Sequence, residues 1–190
     1  MVDVSNIRQL TIPRPDAWTL LGSTDDYDRL PGSHKEQILF LDAAATKFIY
    51  EYLSSAKLVG EDISDPFSKG NFKTVEKFND LADTDESRQR LKKWLFKRGI
   101  AFRTWVYVLP NYNRHPILMT WKMVIKYSFD LFFNDDVTIF DDSLNWCLFY
   151  FHHNILFFGK DNMYDPADDY KRMEALNEVK KKYPHFKFPY

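Results

Sequence analysis

The sequence predicts an α+β fold: an antiparallel sheet with a C-terminal three-strand meander and helices packed mainly on one face. Three observations carry this expectation. First, VTIF, NWCLFYF and ILFFG between Val137 and Gly159 are short β-branched or aromatic runs, with Asp141–Ser143 and His152–Asn154 as turns. Second, apolar residues upstream recur at the helical period in two segments with capping residues. Third, the expected order α, α, β, α, β, β, β, α does not alternate as a doubly wound parallel sheet would.

Taken in order, residues 1–32 contain Pro13, Pro15, Pro31, Gly22 and Gly32 and read as an irregular arm packed through Trp18, Leu20 and Leu21. Ser33 with Glu36 has capping-box spacing, and Ile38, Leu41, Ala45, Phe48, Ile49, Tyr52 and Leu53 follow the helical period. One helix from Ser33 to about Ser55 is the expectation. Residues 56–73 carry Gly60, Pro66 and Gly70 and read as a loop, followed by a short helix over 74–81. A second long helix is capped by Asp83 or Thr84, with Asp85 and Glu86 at its positive end, Lys97 and Arg98 at its negative end, and Gly99 beyond. IAFRTWVYVL predicts a strand over 100–109, and Pro116 starts a further helix over 117–127. The meander follows. Asp165 and Pro166 then open a final helix carrying Tyr170, Met173, Leu176 and Val179, and the tail PHFKFPY packs back through Phe186, Phe188 and Tyr190.

In the middle meander strand, Trp146, Leu148 and Tyr150 lie on one face and Cys147, Phe149 and Phe151 on the other. Both faces are apolar, so the strand is central and covered twice. The second cover is a partner chain, the N-terminal arm or the C-terminal tail.

A chain of 190 residues, 45% hydrophobic and 17% aromatic, supports a single domain, 1–190, with the arm 1–32 and a body 33–190. Net charge is −1, so the whole chain has no bias toward nucleic acid or an anionic membrane. The lone Cys147 lies in an apolar run and reads as buried and inert, and no intramolecular disulfide is possible. The N-terminus lacks a signal-peptide pattern and no apolar run reaches a membrane span, so a cytoplasmic location is expected.

The chemistry-bearing residues are few. His152 and His153 supply a turn, with Asn154. As strand neighbours they would point to opposite faces, and His34, His115 and His185 are distant in sequence, so no metal site and no cofactor is expected. Asp135 and Asp136 flank one end of the first meander strand, and Asp141 and Asp142 the other, ~13 Å away. They read as turn residues or as an acidic rim facing a partner. The basic segment Arg88–Arg103 reads as a solvated helix face, or as a phosphate grip with Trp105 and Tyr107 stacking on bases. No GxSxG, P-loop or GxGxxG occurs, and Ser54, Ser55 and Ser143 have no histidine neighbour.

The segment from Met119 to Gly159, with TWKMVIKYS followed by VTIFDDSLNWCLFYFHHNILFFG, resembles small bacterial proteins. Some of those are immunity partners of polymorphic or contact-delivered toxins. The resemblance implies a non-enzymatic scaffold that binds one protein partner, a cognate toxin, with no cofactor and through surfaces that differ between members. The expected function is therefore a protein-binding module with Asp135, Asp136, Asp141 and Asp142 as partner-binding candidates; a second copy of the chain is another possible partner. Two alternatives stand beside it. One is a small hydrolase-like enzyme using His152 or His153 with a nearby Asp. The other is a nucleic-acid binder using residues 88–103.

Overall fold

The structure is a computed structural model that describes residues 2–16, 27–60, 62–67, 71–111, 115–133, 135–164 and 173–183. The expected packing of Trp18, Leu20 and Leu21, the Asp165–Pro166 helix start, Tyr170 and the tail after Tyr183 lie outside these residues, as do the side chains of Met173 and Leu176.

A short 3-10 turn at Ile7–Gln9 leads into β1 (Thr11–Ile12). Then come α1 (Gly32–Lys35), β2 (Ile38–Leu41), α2 (Ala43–Ser55), β3 (Phe72–Phe78), α3 (Asp85–Phe96), β4 (Trp105–Pro110) and β5 (Ile117–Thr120). The chain continues through α4 (Trp121–Lys126), α5 (Ser128–Leu131), β6 (Val137–Phe140), β7 (Trp146–Phe151), β8 (Ile155–Asn162) and α6 (Met173–Lys182). The strands form one open eight-stranded sheet in the order β1-β2-β5-β4-β6-β7-β8-β3. Every neighbouring pair is antiparallel. The α+β class, the antiparallel sheet and the meander β6-β7-β8 thus agree with the sequence reading.

The helices do not keep mainly to one face; they divide between the two. On one face Leu91 and Leu95 of α3, Trp121, Met123 and Val124 of α4, and Leu131 of α5 meet Val106, Val108, Ile139, Trp146, Leu148 and Phe158. On the other, Ala45, Phe48, Ile49 and Tyr52 of α2, with Ile7, cover Leu109, Leu118, Phe140, Cys147, Phe149 and Phe157. The physical reason is the two-sided apolar character of β7, which forces burial on both sides. The cover of the second face comes from α2 and the N-terminal arm, with Tyr183 at the end of α6 stacked edge-on against Phe48. Each fully buried large side chain contributes ~1.5–3 kcal/mol.

Four segment assignments change. The helix expected from Ser33 is broken: α1 stops at Lys35, Ile38–Leu41 pairs with β5, and α2 starts only where the Asp42 carboxylate accepts the Ala45 N–H at 2.8 Å. Residues 74–81, expected as a helix, belong largely to edge strand β3, paired with β8 from Phe72↔Asn162 to Phe78↔Leu156. The strand expected over 100–109 begins at Trp105, because the chain turns first at Gly99 (φ +75°) and again through Thr104 N–H to the Ala101 carbonyl. Ile117–Thr120 is a strand buried throughout, and the helix there starts at Trp121. At Ile38–Leu41 and Ile117–Thr120 a short apolar run fits both periods, and pairing with a distant strand decides.

As expected, Thr84 caps α3 by accepting the Ser87 N–H at 3.2 Å. Cys147 is buried, and burial pushes its thiol up from the ordinary range. Among the described residues no helix is long and apolar enough to cross a membrane.

Candidate functional site

The two aspartate pairs stay at opposite ends of β6, and the structure does not bring them together. At the first end, Asp136 is only 5% exposed. Its Oδ1 accepts the backbone N–H of His152 at 2.9 Å and lies 2.8 Å from His152 Nδ1, so the ring stands with its Nδ1–H toward the carboxylate. Asp136 is therefore committed to closing the β7–β8 turn and is not part of a rim. Asp135 beside it is half-buried.

His152, His153 and Asn154 form that turn, with Asn154 at φ +64°. The histidines lie in the turn, not in the strand, so their rings do not point to opposite faces. Their centroids are 4.4 Å apart, and Phe151 is 4.5 Å from His152 and 4.8 Å from His153. The His152 side chain is 43% exposed. Among the described residues no three His, Cys, Asp or Glu side chains are grouped so as to hold a metal ion.

At the other end, Asp141 Oδ2 accepts the Trp146 indole N–H at 2.9 Å, and Oδ1 accepts the Ser143 N–H at 3.0 Å and its hydroxyl. Asp142 is exposed, and its backbone carbonyl accepts the Tyr52 hydroxyl at 2.6 Å. Asp141 lines a cavity of about 280 Å³ together with Trp146, Phe158 and Lys160 of the sheet, and Arg98 and Thr104 of the loop that leaves α3.

Arg98 forms one wall. It is buried, with its guanidinium 4.3 Å from the Trp94 ring centroid and 5.1 Å from that of Phe158. Nε donates to the Trp94 carbonyl at 3.0 Å, and Nη1 lies 2.7 Å from Glu76 Oε1 of β3. That ion pair is close, but Nη1 makes no aligned hydrogen bond. Arg98 thereby fastens the end of α3 to the sheet edge.

The loop residues Arg98–Ala101 that line the cavity are flanked in sequence by the feature that the sequence reading missed. Phe96, the last residue of α3, is 62% exposed, and Phe102 is 48% exposed. Their ring centroids are 5.8 Å apart at an interplanar angle of 49°. The signal was present: Leu91 and Leu95 define the buried stripe of α3, and Phe96 lies one residue round the helix from it.

The basic segment is not free for nucleic acid along its length. Arg88 is paired with Asp83 at 2.7 Å, Arg90 with Asp80, and Arg98 with Glu76. Tyr107 is 3% exposed and the half-buried Trp105 ring is covered by Arg8 at 5.0 Å, so neither offers the free face that base stacking needs.

Compared with known proteins, the chain matches no family model, no curated protein and no solved structure.

Proposed function

We propose that this chain is a non-enzymatic protein-binding module that acts in the cytoplasm as an immunity-type inhibitor, binding and neutralising a bacterial toxin. The observation that carries the binding reading is the exposed Phe96–Phe102 pair, two large rings in contact with each other at the surface. Large rings left in water beside each other are the composition of an interface centre, where aromatic anchors supply most of the binding energy. Arg98 holds the end of α3 in place, so the backbone that presents Phe96 is already ordered before binding. The toxin part of the reading rests on the resemblance of residues 119–159.

The test is affinity purification from the native host with mass spectrometry, using wild type and a Phe96→Ser/Phe102→Ser double variant. A single stoichiometric partner, lost in the variant and inhibited by the wild-type chain, is the expected result. No such partner, or one retained equally by the variant, overturns the reading.

A second reading, a small hydrolase-like enzyme with His152 as base, is favoured by the 2.8 Å contact to Asp136. It ranks lower because the ring sits at a hairpin tip, and the cavity described above lies at the opposite end of β6. Hydrolysis of a model ester that disappears in His152→Gln would reverse the ranking.

A further inference from the structure

The charge around the aromatic pair is lopsided along α3. In its N-terminal half, Arg88 and Arg90 are neutralised within the chain by Asp83 and Asp80. Lys92 and Lys93 in its C-terminal half, and Lys97 just past its end, are exposed and have no ion-pair partner among the described residues. Lys92 and Lys93 precede Phe96 by four and three residues, so helix geometry places them on its side of the helix. Arg103, next to Phe102, and Lys160, in the cavity wall, are likewise exposed and without a carboxylate in ion-pair range among the described residues. The Asp141 carboxylate in the same cavity is already engaged by Trp146 and Ser143. The exposed rings are thus close in sequence to cations that form no ion pair among the described residues, in a chain whose net charge is −1.

We infer that the partner reaches this surface with an acidic protein segment, its carboxylates on Lys92, Lys93, Lys97, Arg103 and Lys160 and an apolar side chain on Phe96 and Phe102. This rests on the binding-module reading and names the chemistry of the partner. It also reverses the sign expected from the sequence, where the aspartates were to form the rim. A clustered field of one sign steers an oppositely charged partner and fixes its register, while the rings supply the desolvated centre. A nucleic acid fits less well. The two phenylalanines already face each other in a tilted contact, which leaves less open ring face for bases to stack on.

The experiment is fluorescence anisotropy with three labelled probes: a peptide of alternating Glu and Leu, its Gln and Leu counterpart, and an oligo-dT strand. Each is titrated with wild type, with Lys93→Glu/Lys97→Glu/Arg103→Glu and with Phe96→Ser/Phe102→Ser, all checked for folding by circular dichroism. The acidic peptide is expected to bind at least about ten-fold more tightly than the amide peptide, and to weaken several-fold between about 50 mM and about 200 mM salt. Charge reversal is expected to abolish binding, and loss of the rings to weaken it. Equal binding of both peptides overturns the acidic inference and leaves the binding module intact. Tighter binding of oligo-dT, lost on charge reversal, overturns both in favour of nucleic acid. No binding of either peptide overturns the inference alone, since the module reading is decided separately by the capture experiment.

Discussion

A single carboxylate oxygen of Asp136 serves both the backbone and the ring of His152, at 2.9 Å and 2.8 Å. The two residues belong to different strand ends, so this contact fixes how the last hairpin sits on β6. Asp136→Ala leaves the His152 N–H without its acceptor and should cost about 1–3 kcal/mol in urea unfolding. Asp136→Asn, which keeps an acceptor oxygen, should cost less. Equal losses would show that the acceptor is not what matters.

Tyr150 gives a prediction at alkaline pH. Burial pushes its phenol up to about 12, and the Asp136 charge adds in the same direction. An unfolded tyrosine ionises near 10. Below that value both states are protonated and the contribution of Tyr150 to stability is fully present. As pH rises from about 10 toward about 12 the unfolded state ionises first, and up to ~2–3 kcal/mol is lost. Tyr150→Phe should therefore show a shallower alkaline loss than wild type when urea midpoints at pH 9 and pH 11 are compared. Tyr107, whose phenol is also raised by burial, keeps the slope from vanishing.

Gly159 allows a close approach. A Cβ there would fall 2.3–2.8 Å from three ring atoms of Phe72, which is itself buried edge-on against Phe67. Gly159→Ala should cost ~1–3 kcal/mol through overpacking. Combining it with Phe72→Leu should recover part of that loss, and strictly additive effects in the double-mutant cycle would refute the contact.

The Arg98–Glu76 pair is unequal, because Arg98 is buried and half of the Glu76 side chain is in solvent. Glu76→Gln should cost ~1 kcal/mol or less. Arg98→Ala should cost more, about 2–4 kcal/mol, because it also removes the stem and guanidinium packed over Trp94 and Phe158. Thermal melts of the two variants compare them directly.

Phe96→Ser/Phe102→Ser should cost no more than about 1–2 kcal/mol, since the Phe96 ring is mostly and the Phe102 ring about half in water. A large loss would make the pair a structural element and remove the main support for a binding surface.

The meander was legible because its alternation and turns are local. β6 is Val137–Phe140 as read, and β7 and β8 differ from the reading only at their ends. The edge strand β3 was not, because KTVEK is polar and exposed on both sides and carries no burial pattern. Ile38–Leu41 and Ile117–Thr120 look helical locally because runs this short fit either period, and their mutual pairing across the chain is invisible in the local sequence. At the site, Asp141 was legible as a turn former. Lys160 and Arg98 were not, because strand register and the α3–β3 contact bring them together from distant positions. The Asp136–His152 contact likewise depends on how β6 pairs with β7.

The far edge of the sheet has a temporal meaning. β3 is made early but joins only β8, with Phe78 meeting Leu156. During synthesis, β3 must therefore wait for the last hairpin to emerge from the ribosome before it has anywhere to dock. Folding should accordingly be slow and governed by long-range closure. Chains cut short before Leu156 lose β8, which leaves β3 undocked and bares the edge of the apolar β7; they should aggregate through that edge, and coexpression with the missing C-terminal segment as a separate peptide should restore solubility.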